Sequence, residues 1–292
     1  MPRSRITDTL LLAHVNRLGA DHPPIPMESV DFTVHNPAQL RTRFAGVLDY
    51  LARVELEVER NVLELITIMP NPSEADRLFY ADVWMGQEIR HGEILDELKR
   101  RVDLPDTEPG LQVGFAVRAL GAMAHFEPIQ DVARTIYYLT GASTERQAVL
   151  AYNALAGQLD EMGEQAVRET IINPIKRQEP GHFAFYRMSA EKILTDGTLR
   201  PWQLWLARRL RTMSYEMVGE NHKPQYIAQM GEVMVELGFG DQLEMFAKEI
   251  GRLEAQLLWA QHQGMDFPPY VIAAMRDAVS MYRERGSFLA NL

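Results

Sequence analysis

From Asn36-Pro37 onward the chain is a near-unbroken run of segments with helical periodicity, rich in Ala, Leu, Glu, Met and Arg. Nowhere does it alternate β-branched and polar residues for long enough to build a strand. An all-α fold is therefore expected, each amphipathic helix burying one stripe against its neighbours. Punctuation residues set the elements. Helix A is expected from about Pro37 to Met69, stopped by Pro70-Asn71-Pro72. Helix B starts at a Ser73 cap and runs through Trp84, Glu88 and His91 to about Val102, before Pro105. A shorter helical stretch over about Gly110–Thr140 precedes helix D, which Ser143 or Thr144 can cap, and Gly163 makes the next turn. Helix E follows from about Glu164 to Leu194 and closes at Thr195-Asp196-Gly197. Residues 1–36, with Pro23, Pro24 and Pro26, read as an extended arm, residues 37–195 as the bundle, and residues 196–292 as a helical extension packed on it.

Composition narrows the chemistry. Cysteine is absent, which removes disulfides, thiolate zinc, iron–sulfur clusters and thiol nucleophiles, so any metal must be held by oxygen and nitrogen. A net charge of -10 argues against a nucleic-acid surface, which needs a basic face. No stretch reaches the ~20 apolar residues of a membrane span, and the apolar run near the N-terminus is too short for a secretory signal. A cytoplasmic location is expected.

Only two of the eight histidines have a glutamate three residues earlier: Glu88-Ile89-Arg90-His91 and Glu179-Pro180-Gly181-His182. In a helix that spacing puts carboxylate and imidazole one turn apart on one face, as a metal requires. Each follows a helix carrying a Glu-Arg pair, Glu59-Arg60 and Glu145-Arg146. The order Glu, Glu-x-x-His, Glu, Glu-x-x-His is the ligand set of di-iron four-helix bundles of the ferritin-like kind. Position agrees: Glu59 and Glu88 each stand ~20 Å from the Pro72–Ser73 turn at 1.5 Å per residue, and Glu145 and Glu179 are nearly equidistant from Gly163. The turns are therefore expected at the same end of one antiparallel bundle. The apolar stripe Leu48, Ala52, Glu55, Glu59, Val62, Ile66 favours Glu59 as the helix A ligand, with Glu55 as its rival.

The segments Gln87-Glu88-Ile89-Arg90-His91-Gly92, Thr144-Glu145-Arg146 and Glu179-Pro180-Gly181-His182-Phe183 resemble the soluble acyl-carrier-protein desaturases in order and gaps, over about Val54–Leu194. The resemblance implies two iron ions held by Glu59, Glu88, His91, Glu145, Glu179 and His182, with Glu88 and Glu179 bridging and serving catalysis. It also implies O2 as co-substrate and removal of two hydrogens from an unactivated fatty-acyl chain. Electrons would come from a ferredoxin-type partner, the substrate on an acyl carrier protein, and the assembly would be a homodimer. Lys99-Arg100-Arg101 and Arg208-Arg209-Arg211 are candidate docking patches for an acidic carrier. The chain departs from the family in its N-terminal and C-terminal regions and at Ala148, where the family commonly carries a hydroxyl residue. At Pro180-Gly181 a kink is expected that would leave the His182 half of the centre the weaker.

Related readings fit less well. The radical tyrosine of ribonucleotide reductase small subunits would fall at Leu95, and the third histidine of arylamine N-oxygenases at Ile175. A diverged di-iron or mixed manganese–iron oxidase acting on another small substrate, and a metal-free helical interaction protein, are the alternatives.

Overall fold

A computed structural model describes residues 6–69, 71–110 and 112–292. Among these there is no strand, and the protein is all-α. The first long helix is α2 (Pro37–Leu56), begun where Asn36 accepts the Gln39 amide hydrogen. It is offset at Glu57 and resumes as α3 (Val58–Ile68). Pro70, expected among the residues that stop this helix, lies outside the described residues. Ser73 caps the next helix through a reciprocal capping box with Asp76. That helix is α4 (Glu74–Arg77), a π-helical stretch (Leu78–Trp84) and α5 (Met85–Arg101) in succession.

A connection containing α6 (Phe115–Ala124) leads to α7, a 35-residue helix over Glu127–Glu161. After the Gly163 turn come α8 (Gln165–Val167), a second π-helical stretch (Arg168–Ile172) and α9 (Asn173–Thr195). The expected break at Ser143 or Thr144 is absent. Pro128 starts α7 where a missing N–H costs nothing, and no residue at 143 or 144 forces a restart. Gly141, just before the expected break, is instead the place where Tyr186 packs against α7. A Cβ there would stand 2.2 Å from the Tyr186 ring.

The two hairpins are inverted relative to one another, contrary to the expectation of turns at one end. The main-chain N–H groups of His35 and Asn36, at the start of α2, donate to Glu164 beside the Gly163 turn, at 2.9 and 2.7 Å. Arg134, near the start of α7, donates to the Asn71 carbonyl at 2.6 Å, so the turn after α3 lies at the other end. The ligand positions fall near mid-helix, where equal distance from a turn does not reveal which way up a hairpin stands. The 102–126 connection, with α6 packed on α3 and α7, spans the bundle and permits the inversion. It is a four-helix bundle with one long crossover.

Residues 6–36 are not simply an extended arm. Thr7 caps α1 (Asp8–Asp21), whose Leu11, Val15 and Leu18 recur at helical spacing and are buried. The prolines that suggest an extended segment only follow it. Helix α1 packs on the π-helical stretch and on α9, and His14 Nε2 bonds the Gly181 carbonyl at 2.9 Å. A Cβ at Gly181 would lie 2.3 Å from Leu18 Cδ1, so this glycine lets two helices approach. α9 runs without interruption through Pro180.

The last third forms α10 (Pro201–Ser214), α11 (Pro224–Glu236), α12 (Leu243–Leu257) and α13 (Pro269–Arg285). α11 lies on α2, α10 and α12 on α7, and α13 behind α11. The apolar core divides into two clusters, one around Phe44, Leu95, Leu155 and Ile175, the other around Phe79, Tyr80, Phe185 and Tyr186. A polar layer between them holds the conspicuous motifs. Substituting Gly141→Val should push Tyr186 out of place and destabilise the protein by about 1–3 kcal/mol in denaturant unfolding. Unchanged stability would show that the ring has room to move.

Candidate metal centre

Each Glu-x-x-His motif lies one to two turns after a π-helical stretch, which inserts a residue into the ladder and re-aims the side chains beyond it. From α5 come Glu88 and His91, from α9 Glu179 and His182, from α7 Glu145, and from α2 Glu55. All six are buried. They form two overlapping groups, Glu55, Glu88, His91 and Glu179, and Glu88, Glu145, Glu179 and His182, with the donor atoms of each group within 4.8 Å of one another. Glu88 and Glu179 belong to both and stand where bridging carboxylates would. His91 Nδ1 lies 3.4 Å from Glu179, 3.6 Å from Glu88 and 3.8 Å from Glu55. His182 Nδ1 lies 2.8 Å from Glu88 and 3.6 Å from both Glu145 and Glu179.

Glu59 is the one expected ligand that the structure does not bring to the centre. The offset at Glu57 leaves Glu59 exposed and puts Glu55, its rival, in the first group. Two apolar diagonals run down this helix. The one through Val58 and Leu65 is buried, whereas Ile66, on the diagonal of Glu59, is 62% exposed.

The electrostatics are those of a buried acidic site with room for cations. Among the described residues no lysine or arginine pairs with any of the four carboxylates. Burial pushes the Glu55 and Glu145 carboxyls well above the carboxylate range. Burial would also raise Glu88, but a hydrogen bond from Glu55 and the charge of His182 hold it well below that range. Burial opposes charge on both imidazoles, yet the carboxylates beside His91 and His182 keep them protonated far above their usual range. Without metal, protons thus take the place of the missing positive charge. Glu88 Oε1, Glu179 Oε1, His91 Nδ1 and His182 Nδ1 are buried without a hydrogen-bond partner, His182 Nδ1 and Glu88 Oε1 being close but not aligned for one. These unpartnered atoms face one another and fit a pair of cations. Oxygen and imidazole donors of this kind suit iron or manganese.

No protein-family model, characterised protein or solved structure matches this chain. The reading of the centre therefore stands on its geometry.

Two sets of residues around the ligands are absent from the sequence-based expectation. The Tyr152 hydroxyl donates to Glu55, an anchor that marks Glu55 over Glu59. Behind each imidazole stands an amide: His91 Nε2 meets Gln178 at 2.6 Å and His182 Nε2 meets Gln87 at 2.6 Å. A signal for the amides exists, because both motifs read Gln-Glu-x-x-His.

Two connected cavities open on the centre. The larger, about 630 Å³, is a polar vestibule lined by Glu57, Arg60, Glu64, Glu216 and Lys223. It shares Trp84, Thr144, Glu145 and Met217 with an apolar channel whose lining includes Glu55 and, from the C-terminal helices, Met230, Met234, Phe246 and Met275. Thr144, next in sequence to Glu145, lines both cavities, and Ala148 lines the channel. The loop roofing the vestibule holds Gly219, Asn221 and His222 at positive φ, and is tied down by Arg53 to the Gly219 carbonyl at 3.0 Å and by Asn221 to Glu57 at 3.1 Å.

Each basic triplet has one buried member, while Arg100, Arg101 and Arg209 reach the surface. Lys99 is fully buried on Asp49, and Arg100 and Arg101 pair with Asp96, Glu97 and Asp106. Arg211 is buried on Glu254, and Arg208 donates to the Leu258 carbonyl.

Glu55→Ala should remove metal from the centre, whereas Glu59→Ala should leave the metal content of purified protein unchanged. The reverse pattern would restore Glu59 as a ligand. Metal must also displace the protons on Glu55, Glu145 and the imidazoles, whose pKa values are all raised, so binding releases protons. Affinity for ferrous or cobaltous ion should therefore rise from about pH 6 to about pH 8, with acid released into weak buffer. Affinity that does not change with pH would contradict this protonation scheme.

Proposed function

We propose that the protein is a two-iron, O2-dependent oxidoreductase acting on an apolar chain, of the kind that the acyl-carrier-protein desaturase resemblance implies. One observation carries the reading: two overlapping buried groups of three carboxylates and one histidine share Glu88 and Glu179 and open on an apolar channel. In the metal-free alternative the layer would rest on protons alone, with four carboxyls desolvated and nothing gained for it. The inverted hairpins with one long crossover also suit a ferritin-like bundle. Bound iron, reduced by an external donor, supplies the activation of O2 needed to break an unactivated C–H bond.

The chain's own residues supply the rest. Glu88 and Glu179, common to both donor groups, would hold both ions, His91 and Glu55 would complete one end, and His182 and Glu145 the other. Met217 and Trp84 line both vestibule and channel, so an apolar chain threads past the centre while its polar head stays in the vestibule. The methionines beyond it keep water from the chain and adapt to its shape. Desaturation takes two hydrogens from adjacent carbons, two electrons and two protons from the donor and solvent, and one O2, giving an alkene and two waters. With no cysteine for a cluster of its own, the chain takes those electrons from a separate protein. The apolar chain is the recognised element.

Iron-loaded protein with a ferredoxin reducing system should consume O2 and oxidise acyl chains offered as free acids or on an acyl carrier. Filling the channel with Met275→Trp should shorten the longest chain accepted while leaving bound iron unchanged. A purified protein that binds no ferrous iron would dispose of the proposal.

A further inference from the structure

The hydrogen bonds behind the two imidazoles form a chain of fixed polarity. Gln87 and Gln178 are buried, and the amide nitrogen of each faces main-chain carbonyls of the segment after α1. Gln87 Nε2 donates to His22 O, and Gln178 Nε2 donates to Pro23 O at 2.9 Å and, more weakly, to His22 O at 3.4 Å. A peptide carbonyl can only accept, so each amide must present its nitrogen to it and its oxygen to the imidazole. The imidazole nitrogen that meets that oxygen must in turn carry a hydrogen. The carbonyls of His22 and Pro23 thereby dictate that His91 and His182 are protonated at Nε2, leaving Nδ1 to face the carboxylates.

The arrangement is crossed. Gln87 precedes Glu88 on α5 but supports His182 on α9, whereas Gln178 precedes Glu179 on α9 but supports His91 on α5. We propose, resting on the two-metal reading, that Gln87 and Gln178 are positioning residues that set the Nδ1 donors crosswise. Gln87 serves the metal between Glu145 and His182, Gln178 serves the metal between Glu55 and His91, and the His22-Pro23 main chain locks both. Outer partners that fix a ligating histidine typically contribute about 10–100-fold to metal affinity.

The test uses cobaltous ion as the probe, with occupancy of each site read by anomalous scattering at the cobalt edge during a titration of the full chain. Gln87→Leu should weaken the Glu145–His182 site by about 10–100-fold and spare the other, and Gln178→Leu should do the opposite. Equal weakening of both sites by either variant, as mere loosening of the bundle would give, overturns the proposal. So does weakening confined to the site whose histidine shares a helix with the altered glutamine. A second measurement needs no metal: in histidine-labelled protein, nitrogen NMR should show a slowly exchanging Nε2 proton on both rings. It should exchange markedly faster at His182 in Gln87→Leu and at His91 in Gln178→Leu, and unchanged exchange at the predicted ring would overturn the proposal even in a variant that folds poorly. A wild-type chain that shows these ring protons but binds no cobalt would instead defeat the two-metal reading on which the proposal rests.

Discussion

Everything around the bundle's middle depends on one electrostatic imbalance: four carboxyls and two imidazoles share a buried layer in which, among the described residues, no lysine or arginine pairs with them. Isolated carboxylates in so apolar a setting cost several kcal/mol each, and proteins usually pair them with a basic side chain. Here the imidazoles are the basic groups in reach, and Glu55 and Glu145 make up the deficit by holding protons. In such a layer protons stand where cations would fit. The apolar clusters above and below supply the rigidity that keeps six donors converged while they wait.

That convergence depends on the irregular parts of the helices. Two π-helical stretches precede the two Glu-x-x-His motifs, and the Glu57 offset precedes Glu59. Each shifts the register of the residues beyond it. The close approaches at Gly141 and Gly181 let Tyr186 and α1 sit tightly against α7 and α9. Helix α1 then brings the His22-Pro23 carbonyls against the ligand layer, so the N-terminal segment acts as part of the centre's wall.

How much the sequence reveals depends on the range of the forces involved. Helical periodicity and capping are local, so the all-α class, the Ser73 cap, the Gly163 turn and both Glu-x-x-His pairs are legible in it. Glu55 and Glu59 are harder to separate. They lie on neighbouring diagonals, and only the offset at Glu57, which is held by Arg53, Arg60 and Asn221 from a distant loop, decides between them. The direction of the second hairpin is hidden for a similar reason, since distance from a turn is unchanged when a hairpin is inverted. Helix α1 is masked by the prolines after it, which outweigh the Leu11, Val15 and Leu18 stripe before them. The paired Gln-Glu-x-x-His pentads are in plain view, but a glutamine next to a ligand has meaning only once the opposite helix is known.

The channel has two owners. Its inner wall belongs to the bundle helices that carry the six donors, and its far end belongs to α11, α12 and α13. The six donors and the channel's far end thus lie in separate stretches of chain, joined by the loop over the vestibule. A bulky methionine in the last third can be exchanged for another side chain, reshaping the channel's far end, while the six donors stay where the bundle holds them.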